Sequence, residues 1–295
     1  GKNGWEGVQA AQGLPKGSLA LHFWPWVKKF AGPPRINFPF IRQEYVTFYS
    51  LKTRYNIPGY RPVRDRTKTQ RRLTSMVRFD RVTVSSDGQK IIADVSFHIA
   101  EKEKAVFYGK SGSGKSTILT TILGAHIPES GTVYFAQSPV NSENILKVRR
   151  SVSFIGQEPI LGAETIRDAI LLPYTFKINR GSAPSEKKIV ETLHKLQLER
   201  SILEKNASVV SGGEKQRVAI ARELLQNKKI FLVDELTSAL DIESKKAVID
   251  LFTSREYTVI SVSHDADWYS ICTKFLKVEK GRIAHISSEP APIIM

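Results

Sequence analysis

The stretch Gly109-Lys110-Ser111-Gly112-Ser113-Gly114-Lys115-Ser116-Thr117 decides the reading of this chain. It follows a short apolar strand, Ala105–Tyr108, and opens a helical pattern, Thr117–Leu123, that ends at Gly124. The motif fits G-x-x-x-x-G-K-[ST] in the strand-to-helix setting that the pattern requires. Its glycines let the backbone curl so that several N–H groups converge on phosphate oxygens, and the helix adds the positive end of its dipole. Lys115 is expected to reach the β- and γ-phosphates of a nucleotide, and the Ser116 hydroxyl to bind Mg²⁺.

Outward from this loop, strands alternate with helices. Val77–Val84 and Ile91–Ile99 carry β-type residues around Ser86-Asp87-Gly88 and predict a hairpin. Thr132–Phe135, Ser151–Ile155, Ile230–Val233 and Thr258–Val262 read as strands, and Phe275–Val278 and Arg282–Ile286 as a closing pair around Glu279-Lys280-Gly281. The stretch from Thr165 to Leu203 is helical in pattern, with Ile189, Leu193 and Leu196 behind the cap candidate Ser185. Glu214–Gln226 and Glu243–Phe252 are further helices. The alternation predicts an α/β fold with a mainly parallel sheet and an antiparallel part at its start.

Composition sets the outer limits. With 41% hydrophobic and 25% charged residues, the 295-residue chain has the makings of a packed domain rather than of a disordered or fibrous one. A single cysteine, Cys272, rules out an intramolecular disulfide and favours a reducing compartment. No apolar run reaches the roughly 18–20 residues needed to cross a bilayer; the longest suspicious one, Leu19–Val27, contains His22 and Pro25. The net charge of +15 is uneven: residues 1–75 hold 14 basic and 3 acidic residues. The rest is nearly balanced, so the charge does not argue for nucleic acid as a partner.

Texture also changes near residue 75. Before it lie scattered prolines, Trp5, Trp24 and Trp26, and the basic run from Arg61 to Arg72. Residues 1–75 are expected to be a basic, aromatic- and proline-containing extension of the domain at 76–295. The favoured reading is a leader sequence upstream of a true start at Met76, or part of another protein, because the remaining 220 residues already make a complete domain. Docking of the tryptophans and basic residues on an anionic membrane is the alternative.

Two further motifs carry chemistry. Ile230-Phe231-Leu232-Val233-Asp234-Glu235 is a buried strand that delivers two carboxylates. Asp234 can hold Mg²⁺ through water, and Glu235 can orient or deprotonate an attacking water. Ser211-Gly212-Gly213-Glu214-Lys215-Gln216-Arg217 opens a helix, and its paired glycines offer N–H groups to a second anion.

With Val210-Ser211-Gly212-Gly213-Glu214 the chain resembles the ATP-binding-cassette family, whose signature is usually L-S-G-G-Q; Val and Glu replace Leu and Gln. The other family elements follow in order over residues 77 to about 286. Gln157 is similar to the Q-loop glutamine, Ser238-Ala239-Leu240-Asp241 to the D-loop, and His264 to the switch histidine. The resemblance implies a phosphate-loop NTPase core with an N-terminal antiparallel subdomain and an inserted helical subdomain at about 158–225. It implies catalytic roles for Glu235, His264, Gln157 and Lys115, nucleotide binding by residues 109–117, and Mg²⁺ held by Ser116, Gln157 and Asp234. Ser211, Gly212, Gly213 and Glu214 would meet the ATP of a partner copy, so the working form would be a homodimer or a pair of related subunits.

The resemblance further implies ATP hydrolysis coupled to an integral-membrane permease, at the inner face of the cell membrane. Pro159, Ile160, Leu161, Ile166, Ile170 and Leu171, with Gln157, are the expected docking surface. Residues 201–206 and 234–241 are similar to a subfamily of bacterial ATPases paired with metal exporters. Two departures stand out. Ser85 and Ser86 occupy the place of the family's adenine-stacking aromatic, and Leu236 that of a common proline. Soluble cassette ATPases of DNA repair or ribosomes are the rival class. Only 96 positions separate Lys115 from Ser211, too few for the long coiled-coil insertion of the repair type, and translation factors usually carry two cassettes. A nucleotide-sensing module that barely hydrolyses ATP is the other rival; Glu235 and His264 argue against it.

Overall fold

A computed structural model describes residues 75–290. The extension expected over residues 1–75 lies outside the described residues except for Ser75, which opens the first strand.

Two sheets form the framework. β1 (Ser75–Ser86) and β2 (Gln89–Ala100) make the expected hairpin. Its turn residues Asp87 and Gly88 have φ of 51° and 76°, the doubly left-handed geometry that matches strand twist. With β4 (Ser130–Phe135) and β5 (Ser138–Pro139) they form a four-stranded antiparallel sheet in the order β2-β1-β4-β5. The second sheet has six strands in the order β10-β9-β3-β8-β7-β6. β3 (Lys104–Tyr108), β6 (Val152–Ile155), β7 (Ile230–Asp234), β8 (Thr258–Val262) and β9 (Lys274–Glu279) are mutually parallel. β10 (Arg282–Ser287) closes the edge antiparallel to β9.

The parallel strands read as continuous apolar runs because both their faces are covered. Successive residues divide between two cores. Phe107, Leu232, Ile260 and Leu276 pack with Ile118, Leu119 and Ile122 of helix α1 (Lys115–Ile122) and with the antiparallel sheet. Val106, Phe231, Val259 and Phe275 pack on the opposite face with Val248, Phe252 and Trp268. The last two belong to α6 (Ile242–Phe252) and α7 (Ala266–Tyr269). Cys272 sits against this second core, where burial pushes its thiol up to about 12.

The segment from Thr165 to Leu203 is not one helix. It divides into α3 (Ile166–Thr175), a 3₁₀ turn at Lys177–Asn179, α4 (Glu186–Lys195) and a second 3₁₀ turn at Arg200–Glu204. Gly181, Pro184 and the β-region backbone of the cap residues Thr165 and Ser185 break the run. Ser185 accepts from the Lys188 amide, as its position predicts. A short helix absent from the sequence reading, α2 (Ile145–Ser151), takes the place of Ser151 as the start of a strand. Together with α5 (Gly212–Leu225) these pieces form the helical part, whose buried seam includes Ile189, Leu193, Leu196 and Val218.

Candidate nucleotide site

All the sequence-predicted residues on the sheet project from one edge. The phosphate loop follows β3, Gln157 follows β6, Asp234 and Glu235 end β7, and His264 follows β8. Because these strands are parallel neighbours, their carboxyl ends bring four loops together, the usual location of ligand sites in such sheets.

The phosphate loop is held by the sheet behind it. Gly109 has φ of 136°, and a side chain there would overlap the Val278 carbonyl of β9. The Gly281 amide, in the β9–β10 turn, donates to the Ser113 carbonyl at 3.1 Å. Lys115 is only 5% exposed, and its ammonium donates to the carbonyls of Gly109 at 2.8 Å and Lys110 at 2.9 Å. Burial lowers its pKa, opposed by the carboxylates of Glu235 and Asp234.

Three side chains meet beside it. The Gln157 amide donates to Glu235 Oε2 at 2.9 Å, and His264 Nε2 lies 4.0 Å from Glu235 Oε1. The Glu235 backbone has φ of 47°, a left-handed conformation that a non-glycine residue adopts at a cost of about 1–3 kcal/mol. Its amide donates to the Val262 carbonyl at 3.0 Å and its carbonyl accepts from Ser238 Oγ at 3.0 Å, so the turn is fixed on both sides. Asp234 is buried, and Oδ1 has no hydrogen-bond partner among the described residues. Burial raises its pKa, while the adjoining Ser116 hydroxyl and Lys115 work in the opposite direction.

The signature turn stands apart: no hydrogen bond among the described residues joins Ser211–Glu214 to residues 109–117. It is the N-terminus of α5, closed by a capping box. Glu214 N donates to Ser211 Oγ at 3.2 Å, and Ser211 N to Glu214 Oε2 at 2.8 Å. Glu214, which stands where the family signature has Gln, is therefore a structural residue of the cap. Gly213 packs on the D-loop, where a Cβ would lie 3.2 Å from the Ala239 carbonyl. Asp241 caps α6 by accepting from Ser244 N at 2.9 Å. Ser244 Oγ in turn accepts from Arg217 at 2.7 Å, which ties D-loop and signature helix together.

The expected docking surface is only partly a surface. Ile166 and Ile170 are core residues, because α3 turns its apolar stripe inward, and Leu161, ahead of α3, is buried in the same cluster. Ile160 is 81% exposed. It lines a groove of about 650 Å³ with Phe154, Leu172, Phe176 and the cations Arg149, Arg222 and Lys228. At the expected adenine position, Ser85 Oγ donates to Glu129 Oε2 at 2.6 Å and Ser86 is exposed. Sequence reasoning assigned no bracing role to Gln216, Arg217, Thr237, Ser244 and Asp265, whose partners lie far off in the chain: Gly156 for Gln216, Ser244 for Arg217 and Asp265 for Thr237.

A phosphate-loop NTPase core is what this architecture defines. Residues 92–238 match the family described as ABC transporter. Over 194 residues the chain is 32% identical to the "Probable iron export ATP-binding protein FetA" of Escherichia coli strain K12, covering 64% of this chain and 85% of that protein. It is 28% identical over 211 residues to the "Lactococcin transport/processing ATP-binding protein LcnC-like" of Lactococcus lactis subsp. lactis strain IL1403. That match covers 68% of this chain but spans only 29% of the relative's length. Among solved structures, the dimeric post-hydrolysis state of the ATP-binding cassette MJ0796 bound to ADP and Pi superposes with a TM-score of 0.66 at 29% identity. It covers 73% of this chain and 100% of that one. The chain belongs to the ATP-binding-cassette transporter family, as an ATP-binding domain.

Proposed function

We propose that this chain hydrolyses ATP as a homodimer, or paired with a related subunit, and drives a separate integral-membrane permease from the inner face of the membrane. The observation that carries this reading is the assembly of Gln157, Glu235 and His264, at 2.9 Å and 4.0 Å, on the edge that bears the phosphate loop. Lys115 exchanges its bonds to Gly109 and Lys110 for β- and γ-phosphate oxygens. Glu235 takes the proton of a water attacking the γ-phosphorus, the bond to the β,γ-bridging oxygen breaks, and ADP and phosphate result. Gln157 holds the Glu235 carboxylate in line through its amide, and His264 faces the γ-phosphate.

Ser116, Asp234 and Gln157 fit a Mg²⁺ site. The buried, unpartnered Asp234 Oδ1 beside the Ser116 hydroxyl is the hard oxygen set that this ion takes. When bound it neutralises phosphate charge. The signature residues Ser211, Gly212 and Gly213 complete the site of the partner copy. The γ-phosphate is then the differential contact: it draws two copies together, and its hydrolysis releases them.

The groove lined by Phe154, Ile160 and Phe176 is the docking face for the permease. It begins at β6, the strand that leads into Gln157, so an occupant would bear on the site directly. Similarity to a relative named for iron export favours a metal ion as cargo.

The test is phosphate release by the full chain, with light scattering of the Glu235→Gln variant in Mg-ATP. Turnover in the unmodified chain and an ATP-dependent dimer of the variant support the reading. Normal turnover in the variant overturns it.

A further inference from the structure

The loop after β7 carries Glu235, the loop after β8 carries His264, and a single carboxylate bridges them. Asp265 adjoins His264. Its Oδ2 accepts from Thr237 Oγ1 at 2.8 Å and from Lys245 Nζ at 2.9 Å. Its Oδ1 accepts from the Asp267 amide at 3.0 Å, the cap of α7. The residue on the other side of His264 is fixed as well. Ser263 Oγ accepts from the Asp265 amide at 3.0 Å, and the Ser263 carbonyl accepts from the Tyr269 phenol at 3.1 Å. Thr237 stands two residues beyond Glu235 and is 4% exposed. The loops are thus joined at two levels. At the base, the Glu235 amide meets the Val262 carbonyl at 3.0 Å; at the tip, Thr237 meets Asp265.

The two oxygens of Asp265 do separable work. Oδ1 serves the four-residue helix α7. Oδ2 takes no part in that cap and faces the Glu235 loop and α6 instead. A residue needed only to start α7 would have no use for the buried threonine hydroxyl.

We infer that Thr237 and Asp265 form a latch that holds His264 in register with Glu235, and that both are positioning residues for hydrolysis. The inference rests on the catalytic reading of Glu235 and His264 given above. Neither latch residue touches a phosphate-loop residue through a hydrogen bond, so nucleotide affinity is not its province. Its effect falls on the geometry at the moment of bond breaking, where small misplacements are costly.

The experiment compares Thr237→Val, which keeps the shape and removes the hydroxyl, with Thr237→Ser, which keeps the hydroxyl. Both are made in the full chain, with steady-state phosphate release, Mg-ATP binding and thermal unfolding measured on each. Turnover by the unmodified chain and its loss in Glu235→Gln report separately on the underlying reading. For the latch, Thr237→Val is expected to lower kcat about tenfold with KM and nucleotide affinity unchanged, and Thr237→Ser to recover most of it. Equal turnover in the two variants, or a loss that appears in KM, overturns the inference. Should Thr237→Val melt lower than Thr237→Ser, Thr237→Ala is the second variant, since it removes the hydroxyl without setting a second methyl against Asp265. The same kcat loss supports the latch, and kcat at the level of the unmodified chain overturns it.

Discussion

Two glycine-rich turns open helices in this molecule, and they are finished in opposite ways. The phosphate loop ends at Gly114, which caps α1 with φ of 100° and no side-chain hydrogen bond. Among the described residues its amides have no side-chain competitor, and a buried lysine stands among them. The signature turn ends at Ser211, where a full capping box occupies the amides of Ser211 and Glu214. That box also sets a carboxylate beside the very amides that would meet a phosphate. A helix N-terminus attracts anions through its free N–H groups and dipole, and both are reduced when a carboxylate is already there. The comparison teaches that the first turn suits binding alone and the second suits completing a site built elsewhere.

Mutations can break this contrast in order of expected size. Glu235→Gln removes the proposed base and is expected to lower turnover by about 10²–10⁴-fold, with Mg-ATP binding retained in calorimetry. Lys115→Ala removes the charge from the phosphate loop and is expected to weaken Mg-ATP binding by about tenfold to hundredfold. The matching change at the other turn, Gly213→Ala, places a methyl against the Ala239 carbonyl and should leave binding by one copy intact while reducing ATP-dependent dimer formation, read by light scattering. Glu214→Ala is expected to cost about 1 kcal/mol of stability through the lost cap.

The Glu214 cost has a pH signature. The Ser211 amide holds the Glu214 carboxyl below its ordinary value of 4.5. A depressed carboxyl contributes its full stability above that ordinary value and loses it as pH falls through the folded one. The gap in melting temperature between the unmodified chain and Glu214→Ala should therefore narrow from pH 7 toward pH 3. The smallest effect is expected on deleting residues 1–74. All the proposed site residues lie between Gly109 and His264, so phosphate release should stay close to that of the full chain.

Legibility followed locality. The phosphate loop, the Asp234-Glu235 strand end and both hairpins were readable because each is a short contiguous pattern with its own backbone demand. Thr258–Val262 was read to the residue, since an apolar run between polar loops has one way to enter a parallel sheet. Legibility failed where the outcome depends on what lies opposite. Ile166 and Ile170 look like surface candidates in sequence, yet they turn inward because α5 and the 3₁₀ turn at 200–204 cover them. The break between α3 and α4 was understated because Ile189, Leu193 and Leu196 keep a helical spacing that masks Gly181 and Pro184. Glu214 stands in the place of a Gln in the signature, and its partnership with Ser211 emerges only with the helix start in place. The Thr237–Asp265 and Arg217–Ser244 links span 28 and 27 positions. No sequence period announces such pairs.

Cys272 has a practical consequence. It is the only cysteine in the chain, and burial pushes its thiol up to about 12. Thiolates rather than thiols react with maleimides and methanethiosulfonates. A cysteine introduced at exposed Ser201 or Ser288, outside the proposed site, would consequently take a spin label or fluorophore almost alone. The unaltered background is then ready for measuring how far apart two copies of the proposed dimer stand with and without Mg-ATP.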